Sequence, residues 1–407
     1  MKSSNLQIAH QCPQCGAPAV LAETDRLFTC GYCRVKLYLL PQKFFRYHLP
    51  LASPARKDLV YFPYWRFKGM LFSAGPAGVA HQLIDISRQA CPTPAFPVSL
   101  GFRPQALRLR FVLPETSGYF VQPSLPLEKA VDVLTAPRGR RAPALQAQIG
   151  ESVSLIYAPF YIGKKLIDGV LDRTVGGILP ESLHKGGLAG GPPQGRIDFI
   201  SAVCPQCGWD LSGARASVVL NCRQCRTVWQ PTAAGLRNIG CAHAAGAAGS
   251  RYLPFWRIRS VIQGLDERLA DTLRPWNPRL RGPSDGGRQQ RLRFWVPAFK
   301  LRPKSFLRLA GQLTFSPPRD GLLPEAPAEA CYPVTLPVSE AVESLPIHLA
   351  NRLASPPGQT PWPLGLKVSA ASCLLVYLPF DETAHELVLK SHPLAINRNA
   401  LALAEAL

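Results

Sequence analysis

Long apolar runs, acidic residues and histidines are all scarce in this chain. No apolar run among the 407 residues approaches the roughly 20 that a helical membrane span needs, and the stretch Ser372 to Phe380 (SCLLVYLPF) stops well short. That excludes a protein built on membrane-spanning helices. Charged residues make up 18%, with 26 Asp plus Glu against 46 Lys plus Arg and a net charge of +20. The histidines number eight, and none recurs between the two repeats described below. Residues 1–11 hold only a short mixed stretch before the first cysteine pair, without the apolar segment of a secretory signal, so a cytoplasmic protein is expected.

What is present is globular. Hydrophobic residues make up 47%, and the length leaves room for two or three domains, each able to bury its own core. The 41 prolines oppose long helices, because an interior proline removes a donor and clashes with the preceding turn. Proline and glycine together stay below the roughly 25 to 30% at which low-complexity disorder becomes the better description. Short strands and short helices separated by ordered turns are expected.

Five blocks occur twice in the same order. CPQCG carries Cys12 and Cys15, then Cys204 and Cys207, each followed after fourteen residues by a second pair, Cys30 and Cys33 or Cys222 and Cys225. YFPYWRF (Tyr61 to Phe67) matches YLPFWRI (Tyr252 to Ile258), and RPQALRL (Arg103 to Leu109) matches RPKSFLRL (Arg302 to Leu309). LPLEKAVDVL (Leu125 to Leu134) matches LPVSEAVESL (Leu336 to Leu345), and LIYAPF (Leu155 to Phe160) matches LVYLPF (Leu375 to Phe380). The offset grows along the chain, as it does when surface loops of a duplicated module lengthen. The glycine- and proline-rich stretch 184–195 reads as the linker between copies.

The resulting layout is a cysteine unit over 1–40, a module over 41–183, the linker, a second unit over 196–232 and a second module over 250–407. Within each module the aromatic block predicts a strand that ends in an exposed basic position after Trp65 or Trp256. ALRLRFVL (Ala106 to Leu113) alternates with Arg108 and Arg110 on one face, and the Leu-Pro block predicts a short helix covering a sheet. Residues Ile162 to Leu171 predict the returning arm of a hairpin. The fold class expected is α+β, internally duplicated, each half a small metal ribbon followed by a mainly antiparallel β module with short helices.

Two CxxC knuckles facing each other supply four soft thiolates with closed tetrahedral coordination, which suits two structural zinc ions, one per set; iron in a rubredoxin-like site is the alternative. The expected ligands are Cys12, Cys15, Cys30 and Cys33, and Cys204, Cys207, Cys222 and Cys225. Disulfides do not suit a cytoplasmic chain. Gly16 and Gly208 fit tight turns after the first knuckles, whereas Arg34 and Arg226 stand at that place in the second. Cys91, Cys241, Cys331 and Cys373 share no spacing and are expected as small packed or loop residues. The two cysteine units resemble the zinc ribbons of transcription factors, RNA polymerase subunits, ribosomal proteins and bacterial adaptor proteins. With the Tyr-x-Pro-aromatic-Trp-Arg strand that follows, they are similar to uncharacterised bacterial zinc-ribbon proteins.

No enzymatic motif is complete. Gly163-Lys164-Lys165 lacks the rest of a phosphate loop, His385-Glu386 meets Leu389 where a second zinc-protease histidine belongs, and Asp168 with Asp172 reads as a solvated hairpin. The positive charge is local: Arg251 to Leu309 holds 14 basic and 4 acidic residues, whereas Asp320 to Leu407 holds 4 and 9. Arginine beside aromatic residues suits either nucleic acid or a strand with rings inside and guanidinium groups in water. Arg257, Arg259, Arg291, Arg293, Arg302, Lys304 and Arg308 are the positions expected to meet an anionic partner. The function expected is that of a non-enzymatic zinc-binding interaction or scaffold protein, an accessory subunit with a protein partner. Nucleic-acid binding through 251–308 is the alternative, and an enzyme with a site between the halves is the least favoured.

Overall fold

The computed structural model describes residues 6–41, 43–53, 58–75, 78–130, 145–163, 165–178, 188–194, 197–264, 267–275, 290–318, 321–353 and 366–404. The protein is mostly β, with short helices. It divides into two compact units. The first is built from Met1–Lys68, Ile84–Arg138 and Glu151–Ala202, and the second from Gly69–Leu83, Gly139–Gly150 and Val203–Leu407.

The first unit opens with β1 (Gln7–Gln11), β2 (Pro18–Ala22), β3 (Leu27–Thr29), β4 (Lys36–Pro41) and β5 (Phe45–His48). The long strands β6 (Leu59–Gly75) and β7 (Gly78–Gln89) follow, then the single-turn helix α1 (Arg103–Ala106), β8 (Arg108–Phe111) and β9 (Tyr119–Val121). After a helical turn at 127–130 come β10 (Leu145–Ile162), β11 (Lys165–Asp168), β12 (Arg173–Ile178), β13 (Gly190–Gly191) and β14 (Ile197–Ser201). The main sheet runs β13-β9-β6-β10-β5-β8-β1-β2, with β7 beside β6 and the β11–β12 hairpin continuing from β10. It is mixed: β10 pairs β5, β1 pairs β8 and β6 pairs β9 in parallel. The linker residues Gly190 and Gly191 pair antiparallel with β9, and β14 pairs with β4; linker residues 184–187 and 195 lie outside the described residues.

β8 shows the expected alternation, Leu109 and Phe111 inside and the two arginines outside. β6 does not. Its residues from Leu59 to Lys68 are buried on both faces, because it lies between β9 and β10 with cores on either side. Arg66 is therefore 1% exposed, correcting the expectation of an exposed basic position. It is held by Glu23, in the turn after β2, and by a bidentate contact from its Nε and Nη2 to the Asp85 carboxylate at 3.1 Å each. Burial alone would lower the pKa of Arg66, but the two carboxylates outweigh it and raise it.

Asp168 corrects a second expectation. It is fully buried, ion-paired to Arg103 of α1 at 2.5 Å, and its Oδ1 accepts the Val170 and Leu171 backbone N–H groups at 2.9 and 3.1 Å. Only Asp172, at φ 50°, stays exposed. The pair turns the β11–β12 connection into a fixed loop.

In the second unit, β15 (Leu220–Cys222), β16 (Thr227–Thr232) and β17 (Gly235–Ile239) form a small antiparallel sheet. β18 (Cys241–Ala244), β19 (Arg251–Gln263), α2 (Glu267–Leu273), β20 (Gln290–Pro297), α3 (Pro303–Phe315) and β21 (Leu322–Leu323) follow. The chain ends with α4 (Val338–Glu343), α5 (Leu345–Leu353), β22 (Lys367–Glu382), β23 (Glu386–Leu389), β24 (Leu394–Asn397) and α6 (Arg398–Ala404). The sheet order is β20-β19-β22-β18-β21, with the β23–β24 hairpin continuing from β22. β22 is parallel to β18 and antiparallel to β19. α4 packs on β19 and β22, as the Leu-Pro block predicts; the matching residues 131–134 of the first copy lie outside the described residues. Met70, Phe72 and Ile149 belong to the core of this second unit.

Candidate metal centres and charged surfaces

The four cysteines of each set converge. Cys12, Cys15, Cys30 and Cys33 place their sulfurs within 4.8 Å of one another, as do Cys204, Cys207, Cys222 and Cys225. All twelve cysteines are free of disulfides. A tetrahedral ion with metal–sulfur bonds of about 2.3 Å, the zinc–thiolate value, requires sulfurs about 3.8 Å apart. Cys12 to Cys33 is 3.8 Å and Cys15 to Cys30 is 3.7 Å; the second set gives 3.6 and 3.4 Å. Both sets fit a metal ion, and four thiolates leave it no open position.

The backbone builds each knuckle the same way. Cys12 N–H donates to Ala17 O at 2.8 Å and Gly16 N–H to Cys12 O at 2.8 Å, while Cys204 and Gly208 repeat this at 2.8 and 2.9 Å. The residue after each second cysteine is left-handed, at φ 71° and 72° for Gly16 and Gly208 and at 63° and 56° for Arg34 and Arg226. The two arginines thus adopt the glycine geometry, although a side chain makes it less favourable. Arg226 is also anchored: its Nη1 pairs with Glu325 at 2.6 Å and its Nε donates to Ala326 O at 2.9 Å.

Electrostatics favour thiolate at one cysteine in each set. The Cys33 and Tyr32 backbone N–H groups draw the Cys30 thiol down to about 6. At Cys204 burial pushes the other way, but the Cys207 and Gln206 N–H groups prevail and the thiol also falls to about 6. The Thr227 hydroxyl lies 3.0 Å from the Cys225 sulfur and accepts the Trp229 indole N–H at 2.9 Å, fixing its orientation. Beside the metal sets, Tyr32 (72% exposed) and Trp209 (61% exposed) project into solvent.

No family model, no curated protein and no solved structure matches the chain.

Of the remaining cysteines, Cys91, Cys241 and Cys331 are half-buried and Cys373 is exposed on β22. A cleft of about 1010 Å³ in the first unit is lined by His10, His48, Tyr61, Arg110, Phe111 and Phe199 among others. His10 stacks on Phe199 at 5.4 Å and meets Phe111 edge-on, and His48 Nδ1 lies 3.2 Å from Leu49 O. Burial lowers the pKa of both histidines. Among the described residues neither is hydrogen-bonded to a nucleophile. His385 lies in the turn before β23, and Gly163 N–H closes the β10–β11 turn onto Lys165 O at 3.3 Å.

The seven basic positions separate. Arg257 and Arg259 of β19 share a face with Arg293 of β20, and Arg291 lies opposite Val261 on the same strand pair, its side chain outside the described residues. Arg302, just before α3, and Lys304, on its first turn, are exposed elsewhere. Arg308 bonds Gln312 Oε1 and Ala395 O. The rings of Trp65, Trp256, Phe294 and Trp295 are all buried. Sequence reasoning missed the Arg66 and Asp168 ion pairs, because each partner is remote along the chain.

Proposed function

We propose that the protein is a non-enzymatic, zinc-stabilised interaction protein made of two homologous halves. Each half would pair a zinc ribbon with a larger module, laid out with boundaries near 40, 183, 196 and 232 and acting as an accessory subunit in the cytoplasm. The observation that carries this reading is the pair of closed tetrathiol sets. When bound, zinc at such a site cross-links the chain and has no position left for substrate. Cys12, Cys15, Cys30 and Cys33 would hold one ion, and Cys204, Cys207, Cys222 and Cys225 the other.

Duplication is supported by more than the five sequence blocks. The strand orders β7-β6-β10-β5 and β20-β19-β22-β18 correspond, with the Tyr-x-Pro strands paired to the long strands that carry the final block. In each, that long strand is parallel to a short one and continues into a hairpin. Docking of a protein partner is supported by Tyr32 and Trp209. Each is an aromatic side chain held out on a cysteine-knuckle turn that a bound metal would fix, the kind of rigid anchor that dominates interfaces.

Elemental analysis of the purified protein tests the metal reading. About two zinc ions per chain are expected, and a metal-free preparation that stays fully folded would overturn it. Tyr32→Ala with Trp209→Ala should leave metal content and folding intact while weakening whatever partner co-purifies.

A further inference from the structure

The β19–β20 strand pair concentrates uncompensated positive charge. Its register sets Arg259 directly across from Arg293 and Arg257 across from Trp295, all on one face. Like charges directly opposite on neighbouring strands are destabilising. On the other flank, β22 places Leu374 beside Arg257 and Ser372 beside Arg259, where acidic residues could have balanced them. Among the described residues no carboxylate pairs with Arg257, Arg259 or Arg293. Burial, followed by the charges of Arg293 and Arg259, lowers the pKa of Arg257, as a missing counter-ion would produce.

A cavity of about 340 Å³ adjoins the arginines. Arg257, Arg293, Trp295, Pro318, Leu322 and Leu378 line it, and the Arg257 guanidinium sits over the Trp295 ring at 5.9 Å. Alternate residues of a strand are about 6.8 Å apart, so Arg257 and Arg259 form a short ladder of charge beside a hollow whose accessible lining is mostly polar, bounded by Arg257, Arg293 and Trp295. A run of aspartate and glutamate would use the ladder but offers the hollow no planar ring to stack on a guanidinium. A nucleotide would use both, with phosphates on the guanidinium groups of Arg259 and Arg293 and a base in the hollow against the guanidinium plane of Arg257, which covers the buried Trp295 ring.

We propose that the face bearing Arg257, Arg259 and Arg293 is a contact site for single-stranded nucleic acid. It is separate from the metal sets and does not depend on the protein-docking reading. Each phosphate contact to a single strand contributes about 0.7 to the slope of log affinity against log salt. Replacing all three arginines should therefore lower that slope by about 2.

The test uses the full-length, metal-loaded protein and a fluorescein-labelled mixed-sequence oligonucleotide, as DNA and as RNA, in anisotropy titrations over a salt series. The wild-type protein should bind at low salt and weaken steeply as salt rises. Arg257→Gln/Arg259→Gln/Arg293→Gln should lose affinity and the stated slope, whereas Arg302→Gln/Lys304→Gln, near the start of α3, should change either little. Unchanged circular dichroism and metal content establish folding, and if the triple variant does not fold, Arg259→Gln alone, at an exposed position, should remove about 0.7 of slope. Absence of binding at low salt would overturn the proposal. So would equal losses from both variant sets, equally tight binding of a duplex, or equal competition by poly-glutamate.

Discussion

Replacing Arg66 with alanine removes the cation that joins the turn after β2 to the long strand β6. Arg66 and Glu23 are each only 1% exposed, and Asp85, 27% exposed, lies 3.0 Å away on the partner strand β7. Opposite charges about 4 Å apart at an effective dielectric near 20 attract by about 4 kcal/mol, and deleting one member of a buried pair costs roughly 3 to 5 kcal/mol. Lys68 lies in the field of Glu23 and Asp85, but burial lowers its pKa and its ammonium cannot reproduce the guanidinium fork. With a urea m-value of about 3 kcal/mol/M, the unfolding midpoint of the metal-loaded protein should fall by roughly 1 M or more, followed by tryptophan fluorescence. Arg66→Lys should lose less. Arg66→Met combined with Glu23→Leu should recover part of the loss, because Glu23 is no longer left buried without a cation, while Asp85, partly exposed, can be hydrated. A midpoint shift for Arg66→Ala under roughly 0.3 M, against the m-value above, would refute the argument, as would a double variant no better than the single one.

Three further outcomes are expected. Chelation of the metal should unfold the cysteine hairpins and expose the amides of Cys12, Gly16, Cys204 and Gly208 to hydrogen exchange, while the core of β19 and β22 exchanges more slowly. His348 is fully enclosed, with both ring nitrogens unpartnered among the described residues, and burial lowers its pKa to about 3. Its contribution to stability is intact above pH 6.5 and declines as pH falls through 6.5 towards 3, by up to about 5 kcal/mol. His348→Leu should flatten that acid limb in pH-dependent denaturation relative to the wild type. Gly118 sits at φ 134°, where an added Cβ would meet Tyr61 Cε2 at 2.7 Å, and Tyr61 is stacked on Phe120 at 4.5 Å. Gly118→Ala should cost roughly 2 to 3 kcal/mol in a thermal melt.

The convergence of the eight cysteines into two sets that could hold a metal was legible because cysteine spacing states its own geometry: two knuckles and a hairpin leave little freedom. Arg66 was not, since Trp-Arg at a strand end looks like the same pattern whether the arginine meets water or a carboxylate from a remote turn. The alternation that would expose it vanishes in β6, where both faces are covered. The matched Arg-Pro blocks diverged for a local reason. After Arg103 the pattern Arg-Leu-Arg-Phe alternates and forms β8. After Arg302, by contrast, Phe306, Leu309, Ala310 and Leu313 recur at helical spacing and form one buried stripe of α3. The arginines of β19 and β20 were visible as a basic run, but only the register shows which of them share a face.

The second unit draws on three separate stretches of chain, and its core includes Met70, Phe72 and Ile149 as well as Leu375 and Val376. A ribosome adding roughly 5 to 20 residues per second would release Met70 about 15 to 60 seconds before β22 exists to complete that core. The early strand must wait, with its apolar side chains held by a chaperone or by provisional contacts. Cutting the gene near codon 203 would therefore not yield two proteins: the later fragment would lack part of its own interior, and the earlier one would carry strand ends with nothing to close over them.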